Sequence, residues 1–217
     1  YLGLEKPMQA AENYELVDEM GASTVDSLNM LGDVYVNEEL FDVAVDAYVR
    51  ALELSPDASL DRAIRSAKFL AQKGAYDETR DLVEEVQRLR GDQMSPEEEE
   101  DLYKLQARIA AAEGASEREA EILKKIVELD PLDGEALILL GRRAGRTGDV
   151  EQAIFYFERA ASIPQFETEA KVRHAQLLVR EGRYAEALPL LRRAQQLDPR
   201  DNIQDYLEQV ERIAKQR

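Results

Sequence analysis

Residues 31–56, LGDVYVNEELFDVAVDAYVRALELSP, decide the fold because their pattern returns twice further along the chain. Residues 140–164 read LGRRAGRTGDVEQAIFYFERAASIP, and residues 175–199 read AQLLVREGRYAEALPLLRRAQQLDP. Most letters differ between the three stretches, but small, large and turn-forming residues keep their places. A pattern that recurs at a fixed interval predicts an array of structural repeats in which each unit packs on its neighbours.

The interval between units is 34 residues, as the unit starts at Glu100, Gly134, Thr168 and Asn202 indicate. Two earlier units precede these, and the second of them is degenerate. The predicted organisation is a partial repeat over 1–24, repeat 1 over 25–58, repeat 2 over 59–92, a loop and helix start over 93–99, repeats 3, 4 and 5 over 100–133, 134–167 and 168–201, and a capping helix over 202–217.

Within each unit, the eighth residue is small and the twenty-fourth is large. The small residues are Gly32, Ala67, Ala107, Gly141 and Ala175, and the large ones are Tyr48, Val83, Leu123, Phe157 and Leu191. Small residues let two helices approach closely, and large residues fill the space between them. The fifteenth residue, which would form a left-handed cap on the first helix, is often glycine, as at Gly74, Gly114, Gly148 and Gly182. Each unit is therefore predicted to be a helix hairpin.

This pattern resembles the tetratricopeptide repeat family, whose period and placing of small and large residues it shares over nearly the whole chain. It departs from the family at the fourth position, where the expected Trp is replaced by Leu28, Tyr103 and Leu137 in three units. The resemblance implies an all-α fold, a right-handed superhelical solenoid of stacked antiparallel helix hairpins. It also implies a protein-protein interaction scaffold whose partner is a protein or peptide and which needs no cofactor.

The two ends of the chain fit the same frame. Counting back from repeat 1 puts Tyr1, Ala10, Tyr14 and Val17 at packing places, so residues 1–24 are predicted to hold the second helix of a truncated upstream unit. The apolar residues of the last segment follow helical spacing and predict a helix that shields the final hairpin from water. They are Ile203, Tyr206, Leu207, Val210 and Ile213.

An acidic run at residues 97–100 lies in the irregular joint before repeat 3. Ser95 and Glu98 have the spacing of a capping box, Pro96 suits a first helical turn, and the acidic run suits the positive end of the helix dipole. The joint therefore predicts an early, lengthened helix start. A docking strip for a basic partner is the alternative.

The residues offer little for catalysis or metal binding. The chain has no Cys and one His, His174, at a place in the repeat that faces inward, so we expect no transition-metal site and no enzyme. The net charge of −17 disfavours binding to nucleic acid or anionic lipid. No apolar run approaches the length that spans a bilayer, about 18 residues, so we expect no membrane insertion.

A partner is expected in the concave groove lined by the first helix of each unit. The candidate contact residues are Asn29, Lys68, Lys104, Arg108, Ile138, Arg142, Arg146 and Gln176. Lys68, Arg108 and Arg142 share the ninth place and predict a cationic row that binds a peptide with acidic groups, since Arg can clamp a carboxylate with two hydrogen bonds. In the alternative, these cations only offset neighbouring carboxylates.

Two other functions remain open from the sequence. The chain could be a regulatory or docking arm of a larger multidomain enzyme or assembly. It could also be a structural oligomerisation module, because the sequence leaves the oligomeric state open.

Overall fold

The computed structural model describes residues 6–215, apart from the side chain of Ser116, and this part of the chain is helical without strands. A short 3₁₀ segment, Gly91–Gln93, accompanies the α-helices. The α-helices are α1 (Pro7–Glu19), α2 (Val25–Asn37), α3 (Phe41–Leu54), α4 (Asp61–Lys73), α5 (Tyr76–Arg90), α6 (Pro96–Ala112), α7 (Ser116–Leu129), α8 (Gly134–Thr147), α9 (Val150–Ala161), α10 (Glu167–Arg180), α11 (Tyr184–Leu197) and α12 (Asp201–Ala214). The predicted all-α repeat fold is confirmed.

The chain divides into two compact units, Tyr1–Glu119 and Ala120–Arg217. In the first, α2 packs on α3 and α4 on α5, while α5 also contacts α3 and α6. In the second, α8 packs on α9 and α10 on α11, while α10 also contacts α9 and α8. Within each unit, the two helices of a hairpin thus pack together, and one of them also contacts a helix of the neighbouring hairpin, as stacked repeats require.

Close packing inside two hairpins depends on glycine facing an aromatic ring. A Cβ built on Gly32 would lie 2.6 Å from Cε1 of Tyr48, and one built on Gly141 would lie 2.6 Å from Cε1 of Phe157. Both rings are almost fully buried. The predicted alternation of small and large residues is therefore confirmed in these hairpins, and their large member needs the space that a methyl group would occupy.

Helix ends follow the predicted capping chemistry. The Ser95 backbone N–H donates to Oε2 of Glu98 at 2.8 Å, and the Glu98 backbone N–H donates to Oγ of Ser95 at 3.3 Å, so α6 begins at Pro96. Gly74 and Gly148 end their helices in the left-handed region, with φ of +81° and +85°. The predicted capping box and glycine caps are confirmed.

The helices at the two ends pack as amphipathic elements. On α1, Ala10 and Ala11 are buried, but Val17 is 36% exposed, so its predicted packing place is wrong. Tyr1 lies outside the described residues. On α12, a helix that packs on α11, Ile203, Leu207 and Val210 are buried as predicted; Gln216 and Arg217 are not described.

Arg50 on α3 gathers carboxylates from α1, the helix before the first complete hairpin. Its guanidinium pairs with Glu15 at 3.1 Å and also with Asp18, and Tyr35 donates to Glu15 at 3.0 Å. The hydrogen bond from Arg50 holds the pKa of Glu15 below its usual value. Burial and the bond to Glu15 raise the pKa of Tyr35 to about 12. This cluster fixes α1 on the first hairpin.

Among residues 6–215, none of the helices combines the length and the hydropathy that a bilayer-spanning helix requires.

Glu39 marks a strained version of the glycine cap. It occupies the fifteenth place of repeat 1, where the other units have glycine, and it has φ of +60°. A side chain in the left-handed region crowds the following carbonyl, which costs about 1–2 kcal/mol. The repeat pattern and the backbone angle agree that this position suits glycine.

We expect Glu39→Gly to raise the free energy of unfolding by about 0.5–1 kcal/mol, because relief of the strain exceeds the entropy that glycine adds to the unfolded chain. Urea denaturation followed by circular dichroism measures the change. Glu39→Gln is the matched control, because it removes the 3.3 Å ion pair with Lys73 but keeps the strained backbone. A glycine variant no more stable than the glutamine variant would contradict the prediction.

Candidate functional site

A cavity of about 190 Å³ opens between α8 and α10 in the second unit. Its lining, which we call the arginine cavity, combines four arginines with one glutamine, two glycines and two apolar side chains. The residues are Gly141, Arg142, Gly145, Arg146, Phe157, Arg173, Gln176, Leu177 and Arg180. No carboxylate is among them.

Helical spacing explains why these arginines meet. Arg142 and Arg146 are four residues apart on α8, and Arg173, Gln176 and Arg180 follow one face of α10, so each helix turns its polar residues to one side. α8 and α10 are the first helices of consecutive hairpins and contact each other directly. The two polar faces therefore border one space.

Neighbouring side chains pack closely against the two glycines of the lining. A Cβ built on Gly145 would lie 3.1 Å from Cδ1 of Leu177 and 3.2 Å from Nη2 of Arg180. A Cβ built on Gly141 would enter the Phe157 ring. Because both positions lack a side chain, the backbone of α8 forms part of the cavity wall.

The arginines differ in how far their donors are already used. Arg142 and Arg146 are exposed and form no hydrogen bond or ion pair with any residue in the described part of the chain. Arg180 donates to the Gly145 carbonyl oxygen. Arg173 makes a 3.3 Å contact with Glu169, but its buried Nε has no acceptor. The cavity thus contains hydrogen-bond donors that have no acceptor among the described residues.

Three of the predicted contact residues, Arg142, Arg146 and Gln176, line this one cavity. Ile138 does not belong to such a surface: it is 4% exposed and lies in the core, because the apolar face of α8 is wide enough to include the fifth place of the repeat. Arg173 and Arg180 also line the cavity but were not among the predicted contact residues. Their spacing with Gln176 on one face of α10 is visible in the sequence and could have indicated that they share a surface.

In the first unit, the predicted cations are mostly neutralised. Lys68 pairs with Asp101 at 2.7 Å, and Lys104 pairs with Glu100 at 2.6 Å. Four carboxylates and two cations line a space of about 320 Å³ around Lys68. They are Asp61, Glu97, Glu98, Asp101, Arg65 and Lys68. The offsetting of charge that the sequence left as an alternative therefore describes Lys68 and Lys104.

The other two predicted residues of the first unit differ in exposure. Arg108 is exposed and has no hydrogen bond or ion pair with a residue that the structure describes. Asn29 is half-buried on α2. Of the first-unit candidates with a positive charge, Arg108 is the one whose guanidinium remains unneutralised among residues 6–215.

His174 has the inward packing position that the repeat predicted. It is 8% exposed, and its ring stacks on Phe157 with a centroid distance of 6.3 Å and an interplanar angle of 26°. Burial lowers the pKa of His174, so the imidazole is neutral at neutral pH. Its role is to pack behind Phe157, which is part of the cavity wall.

Two segments of the chain match family models described as tetratricopeptide repeat, at residues 25–58 and 138–202. No curated protein matches the chain in sequence. The second matched segment contains all of α10 and most of α8, and thus every residue of the arginine cavity.

Solved structures share the fold at low sequence identity. YrrB, described as a TPR protein with an unusual peptide-binding site, has 18% identity and a TM-score of 0.63, with 92% of this chain and 99% of YrrB covered. The MamA protein has 18% identity and a TM-score of 0.60, covering 80% and 91%. PilF of Pseudomonas aeruginosa has 16% identity and a TM-score of 0.60, covering 96% and 92%. At these identities the likeness shows the fold alone.

Proposed function

Because the chain belongs to the tetratricopeptide repeat family, we propose that it is a non-catalytic protein-interaction scaffold that binds an acidic peptide or protein segment at the arginine cavity. The observation that carries this proposal is the pair of exposed arginines, Arg142 and Arg146, with no partner among the described residues. YrrB, a protein of similar fold, is described as having a peptide-binding site, and this supports a peptide as the kind of partner.

The chemistry of recognition follows from the guanidinium group. Arg presents a planar fork of donors that can hold a carboxylate through two hydrogen bonds. A chain with a net charge of −17 repels acidic partners in general, so attraction must come from a local concentration of positive charge. The arginine cavity provides one, because no carboxylate is among its lining residues. Binding there should weaken as salt rises, since the site is open to water.

The test is the affinity of an acetylated and amidated hexaglutamate peptide, measured by isothermal titration calorimetry at low salt. We expect the double variant Arg142→Glu/Arg146→Glu to bind this peptide at least about tenfold more weakly, because two attractive charges become repulsive. The circular dichroism spectrum should remain unchanged, since neither side chain forms a hydrogen bond or ion pair with another described residue.

The matched control is Arg212→Glu/Lys215→Glu on the exposed side of α12 and just after it. It changes the net charge by the same amount in the same compact unit but away from the arginine cavity. Equal losses in the two double variants would show a general charge effect and reject the cavity as the site. Arg108→Glu tests separately whether the first unit contributes to binding.

A further inference from the structure

We propose that the arginine cavity is a phosphoryl-binding site that accepts the phosphate ester of a phosphorylated serine or threonine in the bound segment. The inference rests on the proposed peptide-binding function and adds the chemical class of the group that enters the cavity. Three features support it: the amount of positive charge, the arrangement of unused donors, and the glycine-lined wall.

The charge in the cavity exceeds what one carboxylate can neutralise. Four guanidinium groups line it, and only Arg173 and Arg180 contact nearby carboxylates, at 3.3 Å and 3.5 Å. Arg142 and Arg146 retain two unneutralised charges. A phosphate ester carries a charge of about −1.5 to −2 at pH 7, whereas Asp or Glu carries one negative charge. The dianion therefore matches the two free cations.

The donors come from two helices and suit a tetrahedral acceptor. Arg142 and Arg146 project from α8, while Arg173 lies on α10 and has a buried Nε without an acceptor. A carboxylate has two oxygens in one plane, but a phosphate ester has three terminal oxygens directed differently. Three oxygens can accept from Arg142 and Arg146 on one helix and from the guanidinium of Arg173 on the other at once.

The wall that contains the two glycines limits the size of the group that can enter. A Cβ at Gly145 would lie 3.2 Å from Arg180 Nη2, and one at Gly141 would enter the Phe157 ring, so these side chains pack directly on α8. The cavity that remains has a volume of about 190 Å³. A small, strongly charged head group fits it better than a bulky side chain does.

The rest of the chain favours a single phosphoryl group on a peptide over a polyphosphate backbone. The net charge is −17, and the space around Lys68 in the first unit is lined by four carboxylates. A nucleic acid places a charge at every nucleotide and would meet this negative field along its length. A peptide with one phosphorylated residue places its strong charge in the arginine cavity alone.

The experiment compares three acetylated and amidated pentapeptides, Glu-Glu-X-Glu-Glu, in which X is phosphoserine, glutamate or serine. Calorimetry on the full chain at pH 7.5 should show the phosphoserine peptide binding about tenfold more tightly than the glutamate peptide. In the double variant Arg142→Gln/Arg146→Gln, this preference should fall to less than about twofold. In ¹⁵N spectra of the arginine side chains, the Arg173 Nε–Hε signal should shift with the phosphoserine peptide only.

Each alternative outcome rejects a defined part of the proposal. Equal affinities for the phosphoserine and glutamate peptides would overturn the phosphoryl inference and leave the proposed function standing. Absence of binding by all three peptides would overturn both. A preference that survives in the glutamine variant would place the phosphoryl group outside the arginine cavity. Inorganic phosphate that binds as tightly as the phosphoserine peptide would identify a free-anion site and reject the peptide form.

Discussion

Arg90→Ala should lower the free energy of unfolding by about 3–5 kcal/mol, although the hydrogen-bond partners of Arg90 are backbone carbonyl oxygens and not carboxylates. Arg90 is the last residue of α5 and is 6% exposed. Its guanidinium donates to four backbone carbonyl oxygens at and beyond the end of α3, those of Leu52, Ser55, Pro56 and Ala58.

The size of this effect follows from the number of backbone acceptors to which the guanidinium donates. The last carbonyls of a helix lack intrahelical partners, and the loop after α3 adds further acceptors. A cation at this end also interacts favourably with the negative end of the helix dipole. Alanine would remove this donor from all four acceptors. The Ser55 carbonyl also accepts from the Ala58 N–H at 3.1 Å, but the other three lose a hydrogen bond, at about 1–3 kcal/mol each before water or rearrangement compensates.

Urea denaturation followed by circular dichroism measures the loss, and two variants define its cause. Arg88→Ala is the matched control two residues earlier on α5, where the side chain is 58% exposed and pairs with Glu85 and Glu53; we expect a change within about 0.5 kcal/mol. Arg90→Lys keeps the charge but cannot reach four acceptors, so it should lose more than half of the stabilisation. Full stability in Arg90→Lys would show that charge, and not the fork of donors, is what matters.

The repeat period predicted the helices because it reflects interactions between residues that are close together in the sequence. Helix starts, glycine caps and the buried faces depend on residues within one unit, and they appear at regular intervals in the sequence. Ser95 and Glu98 show this well, since both the spacing and the observed capping box belong to one turn. What could be predicted is what neighbouring residues determine.

Arg90 could not be predicted, because its partners are backbone atoms 32–38 residues earlier in the chain. In sequence it looks the same as Arg88, which is exposed. The neutralisation of Lys68 by Asp101 likewise depends on how α4 meets α6. Such pairings between helices have no signature in a one-dimensional pattern. The sequence therefore did not distinguish Lys68, which is paired, from Arg142, which is exposed and unpaired among the described residues.

A second large effect is expected at Gly141, where we predict that Gly141→Ala will lower the free energy of unfolding by about 1–2 kcal/mol. The added Cβ would lie 2.6 Å from Cε1 and 2.8 Å from Cδ1 of Phe157, whose ring is 2% exposed and cannot move freely. Overpacking of this kind costs about 1–3 kcal/mol. It outweighs the gain of up to about 1 kcal/mol that alanine usually brings to a helix.

The repeats themselves indicate the compensating change. Where the eighth residue is glycine, the twenty-fourth is aromatic, as in Gly141 with Phe157. Where the eighth is alanine, the twenty-fourth is aliphatic, and Ala175 and Leu191 lie in one buried cluster in the next hairpin. The aromatic ring thus fits because the facing residue on the first helix has no methyl group.

We therefore expect Gly141→Ala/Phe157→Leu to be more stable than Gly141→Ala, with a coupling free energy of about 1–2 kcal/mol in a double-mutant cycle. Phe157→Leu alone should be destabilising, because it leaves a void beside Gly141 and removes the ring on which His174 stacks. Ala175→Gly is the converse control and should cost about 1 kcal/mol, since Leu191 needs no extra room and glycine weakens a helix. Additive effects in the cycle would mean that the ring and the helix adjust independently, which would reject the paired packing of the eighth and twenty-fourth places.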